Sequence, residues 1–198
     1  MLSPSKLIVV ENPEKDIDSQ VLTQNTIRID DPLSESLSDE ENLEGDLNKW
    51  ISLRNKYNAN PCIAYLNINS LRGDKFTEIR DICKKAPPDI FCIDETKLTD
   101  DFPDAQFVLE NYQYPPFRRD RKMKNPCYCG GGKLVFIKEG LICSRLTNFE
   151  TPNAETIALE LTLSKRKWFI IFAYRPESID RTLFFDEINV TLSKAINK

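Results

Sequence analysis

The stretch PCIAYLNINSLRGDKFTEIRDICKKAPPDIFCIDETKL, residues 61–98, decides the fold. Cys62-Ile63-Ala64-Tyr65-Leu66 is a short apolar run of strand character, and it leads into Asn67-Ile68-Asn69-Ser70-Leu71-Arg72. Residues 74–85 then place Phe76, Ile79, Ile82 and Cys83 at helical spacing. Pro87-Pro88 stops that helix, because proline has no amide hydrogen and biases the residue before it away from αR. A second apolar run, Ile90-Phe91-Cys92-Ile93, delivers Asp94-Glu95-Thr96-Lys97-Leu98 at its carboxyl end. A strand–helix–strand unit of this length makes two parallel neighbours in one sheet. Asn67 and Glu95 are therefore expected side by side at the sheet edge where α/β proteins bind ligands.

Outward from this unit, the charge is uneven. Residues 1–58 hold twelve acids against six bases, a net of −6, and residues 59–198 hold nineteen acids against twenty-one bases, a net of +2. An acidic leader thus precedes a near-neutral folded part, and the division is expected at 58/59. Residues 1–37 have scattered prolines and acids with no sustained period and are expected to be flexible, without regular structure. Ser38-Asp39-Glu40-Glu41 has the capping-box form, and Leu43, Leu47, Trp50, Ile51 and Arg54 follow on one stripe, predicting a helix over 39–57. That helix either docks a protein partner, packs back on the domain or links it to something upstream.

Six irregularly spaced cysteines suit a reducing compartment better than a disulfide framework. Cys127-Tyr128-Cys129 could bind zinc or pair oxidatively, but with no histidine and no second cysteine pair nearby, ordinary reduced thiols are expected. No signal peptide is visible, and no apolar stretch approaches the ~18 residues of a membrane helix. An intracellular protein, nuclear or cytoplasmic and with no membrane partner, is expected.

Beyond Glu95, Phe107-Val108-Leu109 reads as a short strand and residues 112–117 as an aromatic, proline-stiffened surface segment. Arg118, Arg119, Arg121, Lys122 and Lys124 then put five positive charges in seven positions, a pattern suited to a phosphate backbone or to a solvated loop. Gly130-Gly131-Gly132 follows and lets a ligand approach the backbone or makes a tight strand entry. Residues 134–137 and 141–146 read as strands. In 155–163, Ile157, Leu159, Leu161 and Leu163 alternate with polar or small residues, and a turn at 164–167 returns the chain through the apolar strand 168–174. Residues 180–197 read as a helix with Leu183, Phe184, Ile188, Leu192 and Ile196 inward.

Leu66-Asn67-Ile68-Asn69-Ser70-Leu71, Glu95-Thr96-Lys97-Leu98, the arginine cluster before a glycine run, and Tyr174-Arg175-Pro176 occur in that order. Together they resemble the endonuclease/exonuclease/phosphatase superfamily of deoxyribonuclease I, most of all the endonuclease domains of non-LTR retrotransposons. The resemblance covers about residues 61–198. It implies a four-layer α/β/β/α sandwich of two mixed sheets and a magnesium-dependent DNA endonuclease, with manganese as a possible substitute. Carried over by residue, Glu95 is the metal-binding glutamate, Asn67 lies near metal and phosphate, and Tyr174 hydrogen-bonds the scissile phosphate. Asn69 falls where some relatives have aspartate. Arg72, Arg118, Arg119, Arg121, Lys122 and Lys124 would hold DNA through its phosphates with little sequence preference.

Two departures stand against these matches. The family's Gly-Asp-x-Asn strand, placed after the helix that is here 180–197, is absent, and the chain has no histidine. The expectation is an amino-terminal part of such a domain, truncated at its carboxyl end and inactive as it stands, with weak magnesium binding. The alternatives are a non-catalytic interaction protein derived from such a domain, and a superfamily phosphatase acting on a small phosphate ester.

Overall fold

In a computed structural model of the chain, residues 61–121 and 130–197 are described in full, with the helix 39–56 (side chains from 48 onward) and the backbone of two short strands, 6–9 and 26–28. These strands, β1 (Lys6–Val9) and β2 (Thr26–Arg28), lie in the leader expected to lack regular structure. β1 pairs antiparallel with β2 and with β3 (Cys62–Asn67), setting Val9 opposite Cys62 and Lys6 opposite Tyr65. The physical reason is that β3 offers an open row of backbone donors and acceptors, and Leu7-Ile8-Val9 is a run of good strand formers. α1 (Asp39–Lys56) forms close to the expected limits and packs back on the domain. Its Trp50 Nε1 donates to the Ala86 carbonyl at 2.9 Å, and Arg54 pairs with Asp89 at 2.8 Å. The expected boundary at 58/59 therefore does not separate a leader from the folded part.

The central unit forms as read. β3 leads into α2 (Lys75–Lys85), then β4 (Ile90–Asp94), and β3 and β4 pair in parallel from Ile63 opposite Ile90 to Asn67 opposite Asp94. α2 buries Phe76, Ile79 and Cys83 and stops at the prolines, where the Ala86 amide closes the last turn on the Ile82 carbonyl. β5 (Phe117–Arg119) and β6 (Lys133–Ile137) complete a mixed sheet of order β2-β1-β3-β4-β6-β5. β7 (Ile142–Arg145), β8 (Glu155–Leu163) and β9 (Arg166–Tyr174) make a second sheet, antiparallel throughout rather than mixed as expected. The β8–β9 turn is two residues, Ser164 and Lys165, both at positive φ, which matches the right-handed twist of the strands it joins.

Alternation assigns the two faces of the first sheet. Leu66, Phe91, Ile93, Leu134 and Phe136 pack with Phe76, Ile79 and Cys83 of α2. On the other face, Ile63, Ile90, Cys92, Val135 and Ile137 meet Ile157, Leu159, Leu161 and Phe172 of the second sheet. This is face-to-face sheet packing with a helix on the outer side of the first sheet. No helix among the described residues is long and apolar enough to cross a membrane.

Three local expectations change. Residues 107–109 are not a strand; a 3₁₀ turn over Asp104–Gln106 precedes them, although Phe107 and Leu109 still enter the core. Tyr112 is not a surface residue: it is buried, and its hydroxyl donates to the Pro88 carbonyl at 2.6 Å. α3 (Arg181–Ile196) starts as expected, with Asp180 capping the Thr182 and Leu183 amides, but its inward stripe is Phe184, Ile188, Thr191 and Ala195. Leu183, Leu192 and Ile196 face out, Ile196 at 84% exposure. Two apolar stripes compete on this helix, and packing against the 147–154 region, where Glu187 accepts from Ala154, selects one.

Candidate functional site

β3 and β4 end together, and their loops are stitched by backbone bonds. The Ile68 amide donates to Asp94, Ser70 to Glu95 and Leu71 to Thr96, at 3.1, 2.7 and 2.8 Å. Glu95 takes φ +54°, a left-handed conformation costly for a non-glycine residue, and such strain gathers at functional sites. The turn aims its carboxylate at Asn67, whose Nδ2 donates to Glu95 Oε1 at 2.9 Å. Asn67 Oδ1 is engaged on its other side by the Asn69 amide at 3.1 Å, which fixes which way the Asn67 amide points. Tyr174, at the end of β9 in the opposite sheet, donates its hydroxyl to the same Glu95 Oε1 at 2.6 Å. The three expected catalytic residues thus converge, drawn from both sheets.

Burial works to raise the Glu95 pKa, but the hydrogen bonds from Tyr174 and Asn67, aided by the charges of Lys97 and Arg121, hold it below the usual 4.5. Burial first, then the hydrogen bond and charge of Glu95, push Tyr174 up to about 12. A lowered carboxylate contributes stability above its unfolded value and loses it as pH falls through the folded value. A raised phenol contributes below 10 and loses its contribution as pH rises through about 12. The destabilisation caused by Tyr174→Phe should accordingly be level from about pH 5 to 10 and shrink toward both extremes. Urea midpoints of the two proteins across pH check this; a difference that grows at either extreme would contradict it.

Beneath the site lies a group that sequence reasoning missed. Lys133, with 0% side-chain exposure, forms an ion pair with Asp94, at 1%. The Tyr65 hydroxyl donates to the other Asp94 oxygen, and the Lys133 ammonium lies 5.7 Å from the Tyr65 ring centroid. Burial and the Asp94 charge push the Tyr65 pKa well up, so its proton stays. Asp94 and Lys133 are direct cross-strand partners. Their signal was a charged residue at the end of one buried run and another at the start of the next, which only the register turns into a pair.

The basic cluster divides. Arg118 is turned inside: it pairs with Asp104 at 2.9 Å and Asp120 at 2.6 Å and donates to the Thr99 and Phe102 carbonyls. Arg119 donates to the carbonyls of Thr156 and Thr151 at 2.8 and 2.7 Å. Neither side chain is free to meet DNA as expected, since carboxylates and carbonyls of the protein engage both. Arg72 is exposed, bonded to the Lys97 carbonyl at 2.9 Å and lying 5.1 Å from the Phe102 ring centroid. Arg121 pairs through Nε with buried Glu155 and sits 5.8 Å from the Tyr174 ring centroid. Lys122, Lys124, Cys127 and Cys129 lie outside the described residues.

The glycine run is explained by the chain itself. A Cβ on Gly131 would overlap the Arg121 guanidinium, and one on Gly132 would lie 2.7 Å from Thr96 Oγ1. Both glycines have positive φ, +63° and +89°.

As a magnesium site the geometry fits in part. Both hydrogen bonds to Glu95 fall on Oε1, and none among the described residues reaches Oε2, which leaves one carboxylate oxygen for a hard cation. Asn67 turns its NH₂ toward Glu95 and its oxygen toward Asn69, so it orients the carboxylate instead of ligating beside it. Asp94 is taken by Lys133. Among the described residues no three carboxylate, histidine or cysteine side chains are grouped to hold a metal. Cys62, Cys83, Cys92 and Cys143 are free thiols, and burial raises the pKa of each. No known family model matches this chain, and no curated protein matches it.

Proposed function

We propose that this chain carries part of a metal-dependent DNA endonuclease domain of the endonuclease/exonuclease/phosphatase type, built as a four-layer sandwich with α3 outside the second sheet. One observation carries it: the Asn67, Glu95 and Tyr174 side chains, from three strand ends in two sheets, meet on a single carboxylate oxygen. A magnesium ion bound at Glu95 Oε2 would supply charge neutralisation for a phosphate. The protein's own part is to hold Glu95 ionised and aimed. Asn67 fixes its direction, and Tyr174 presents a phenol that stays protonated through neutral pH. A group to activate water is missing from this set, since the 198 residues contain no histidine and no Gly-Asp-x-Asn sequence. Residues 1–198 therefore bind duplex DNA weakly and do not cut it.

A non-catalytic interaction role is the second reading, favoured by the outward apolar residues Leu183, Phe185, Val190 and Ile196 of α3. The test is magnesium titration, duplex binding and plasmid nicking by the full chain and by Glu95→Gln. Magnesium affinity should fall on the order of tenfold or more in the variant, with duplex binding unchanged or slightly tighter because a negative charge near the phosphate is gone. Magnesium and DNA binding both indifferent to Glu95→Gln would remove the site assignment. Nicking by the wild type that the substitution abolishes would instead overturn the inactivity.

A further inference from the structure

The two sheets differ in width, six strands against three. At one margin they are level, since the Arg145 guanidinium of β7 donates to the Arg118 carbonyl of β5 at 2.8 Å. At the other margin the first sheet therefore extends past β9, with β1 and β2 outermost. β9 is the open edge beneath that overhang, nine residues long, whereas the edges at β2, β5 and β7 have three, three and four. Its outward groups follow from the turn. Ser164 and Lys165 make a two-residue hairpin, so Leu163 and Arg166 are a hydrogen-bonded pair, and such pairs alternate along an antiparallel ladder. The amides and carbonyls of Lys167, Phe169, Ile171 and Ala173 thus point away from β8. The same alternation turns the Ala158 carbonyl of β8 toward β7, and there the Leu146 amide takes it at 2.8 Å. Among the described residues, no backbone group bonds the outward side of β9. Trp168 and Ile170 of β9 and Tyr65 of β3 line the inter-sheet space there and are only half-buried, whereas Ile157, Leu159 and Leu161 of β8 are fully inside. At the hairpin end Lys165, Arg166 and Lys167 are all exposed, and Glu160 is the carboxylate that meets Lys167, at 2.8 Å.

We infer that β9 is the docking edge for one extended segment of another protein. The segment adds as a fourth strand of the second sheet, apolar on the side facing Tyr65, Trp168 and Ile170, with carboxylates beside residues 165–167. Main-chain bonds to the outward groups of Lys167, Phe169, Ile171 and Ala173 supply affinity, and the half-buried side chains select what lies between the sheets. The overhang decides against a second copy of this chain. Pairing β9 with β9 would bring that copy's own six-stranded sheet into the space that β1 and β2 already hold. A single strand, with no sheet stacked on it, fits beneath them. Antiparallel pairing makes the stronger ladder, which puts the acids at the carboxyl end of the segment, over the three cations. A long apolar edge left bare also invites aggregation, so an occupant protects the fold as well as binding it. The inference goes beyond the magnesium and DNA reading and does not depend on it.

The probe is an eight-residue synthetic peptide alternating valine with threonine and ending in two glutamates, added to the full chain. At about 1 mM peptide, amide exchange at Lys167, Phe169, Ile171 and Ala173 should slow several-fold or more, whereas Trp168, Ile170 and Phe172, already bonded to β8, should change little. The same peptide ending in two lysines should bind on the order of tenfold more weakly. Ile171→Pro removes one outward donor at a position where an edge strand tolerates proline, and it should weaken peptide binding about tenfold. The exchange pattern is read on the wild type, so an unfolded Ile171→Pro leaves the question decidable. No protection of the four alternate amides, equal binding of the acidic and basic peptides, or a folded Ile171→Pro that binds like wild type overturns the proposal. A chain whose four amides are already protected without peptide, and which sediments as a dimer, would give the edge to a second copy and overturn it too.

Discussion

Lys133→Met should remove about 3–5 kcal/mol of unfolding free energy, a large share of the ~5–15 kcal/mol that a domain possesses. The cost comes less from the lost attraction than from what is left behind. Asp94 is 1% exposed on a central strand, and without Lys133 its charge has only the Tyr65 hydroxyl and the Cys92 thiol as donors. A buried carboxylate in that state must be neutralised or must open the sheet. The double change Lys133→Met with Asp94→Asn should recover much of the loss, because it removes both charges and leaves two side chains of nearly the original volume. Urea denaturation of the three variants measures this. Equal stability of the single and double variants would mean that the ion pair is not what holds β4 to β6. Because Asp94 immediately precedes Glu95, the single variant should also lose magnesium affinity, whereas the double should regain it.

Arg118→Glu should destabilise the protein by about 3–5 kcal/mol while changing the duplex affinity of the folded fraction by less than about twofold. The Arg118 side chain is 14% exposed and lies between Asp104 and Asp120. Reversal sets a third carboxylate against two and strands the Thr99 and Phe102 carbonyls that the guanidinium had satisfied. Arg72→Glu is the contrasting change: an exposed guanidinium whose loss should cost about 1 kcal/mol or less but should weaken duplex binding visibly. Thermal midpoints and salt-dependent binding separate the two. An Arg118→Glu protein of full stability with no affinity for DNA would return this arginine to the surface.

That arginine shows where reading the sequence stops. A cluster of five positive charges in seven positions looks like a surface patch because its neighbours in the chain offer few acids. Besides Asp120 within the cluster, the partners are Asp104, 14 residues before Arg118, and Glu155, 34 residues after Arg121. Local pattern cannot see them. Lys133 and Asp94 are hidden in the same way, 39 residues apart and joined only once the antiparallel register of β4 and β6 is known. By contrast, the meeting of Asn67 and Glu95 was legible, because strand, proline-stopped helix and strand are local signals and the handedness of the crossover does the rest. Tyr174 was legible as a strand-end residue able to face the site, but its part in the site came only through resemblance, since nothing in its own neighbourhood says that the second sheet brings it to Glu95. On α3 a single inward stripe was read, and it combined Phe184 and Ile188, which turn in, with Leu183, Leu192 and Ile196, which face out. The choice was made by the residues against which the helix rests.

The bond between Tyr174 and Glu95 has a mechanical meaning. One end belongs to the β7–β9 sheet and the other to the sheet containing β4, and apolar side chains, which lack direction, fill the space between them. Oily surfaces slide at little cost, whereas a hydrogen bond of 2.6 Å tolerates a displacement of only a few tenths of an ångström. The phenol therefore acts as a vernier between the layers. A shear too small to disturb the core would open the site first, and the ultraviolet absorption of Tyr174 would register the slip before any change in secondary structure.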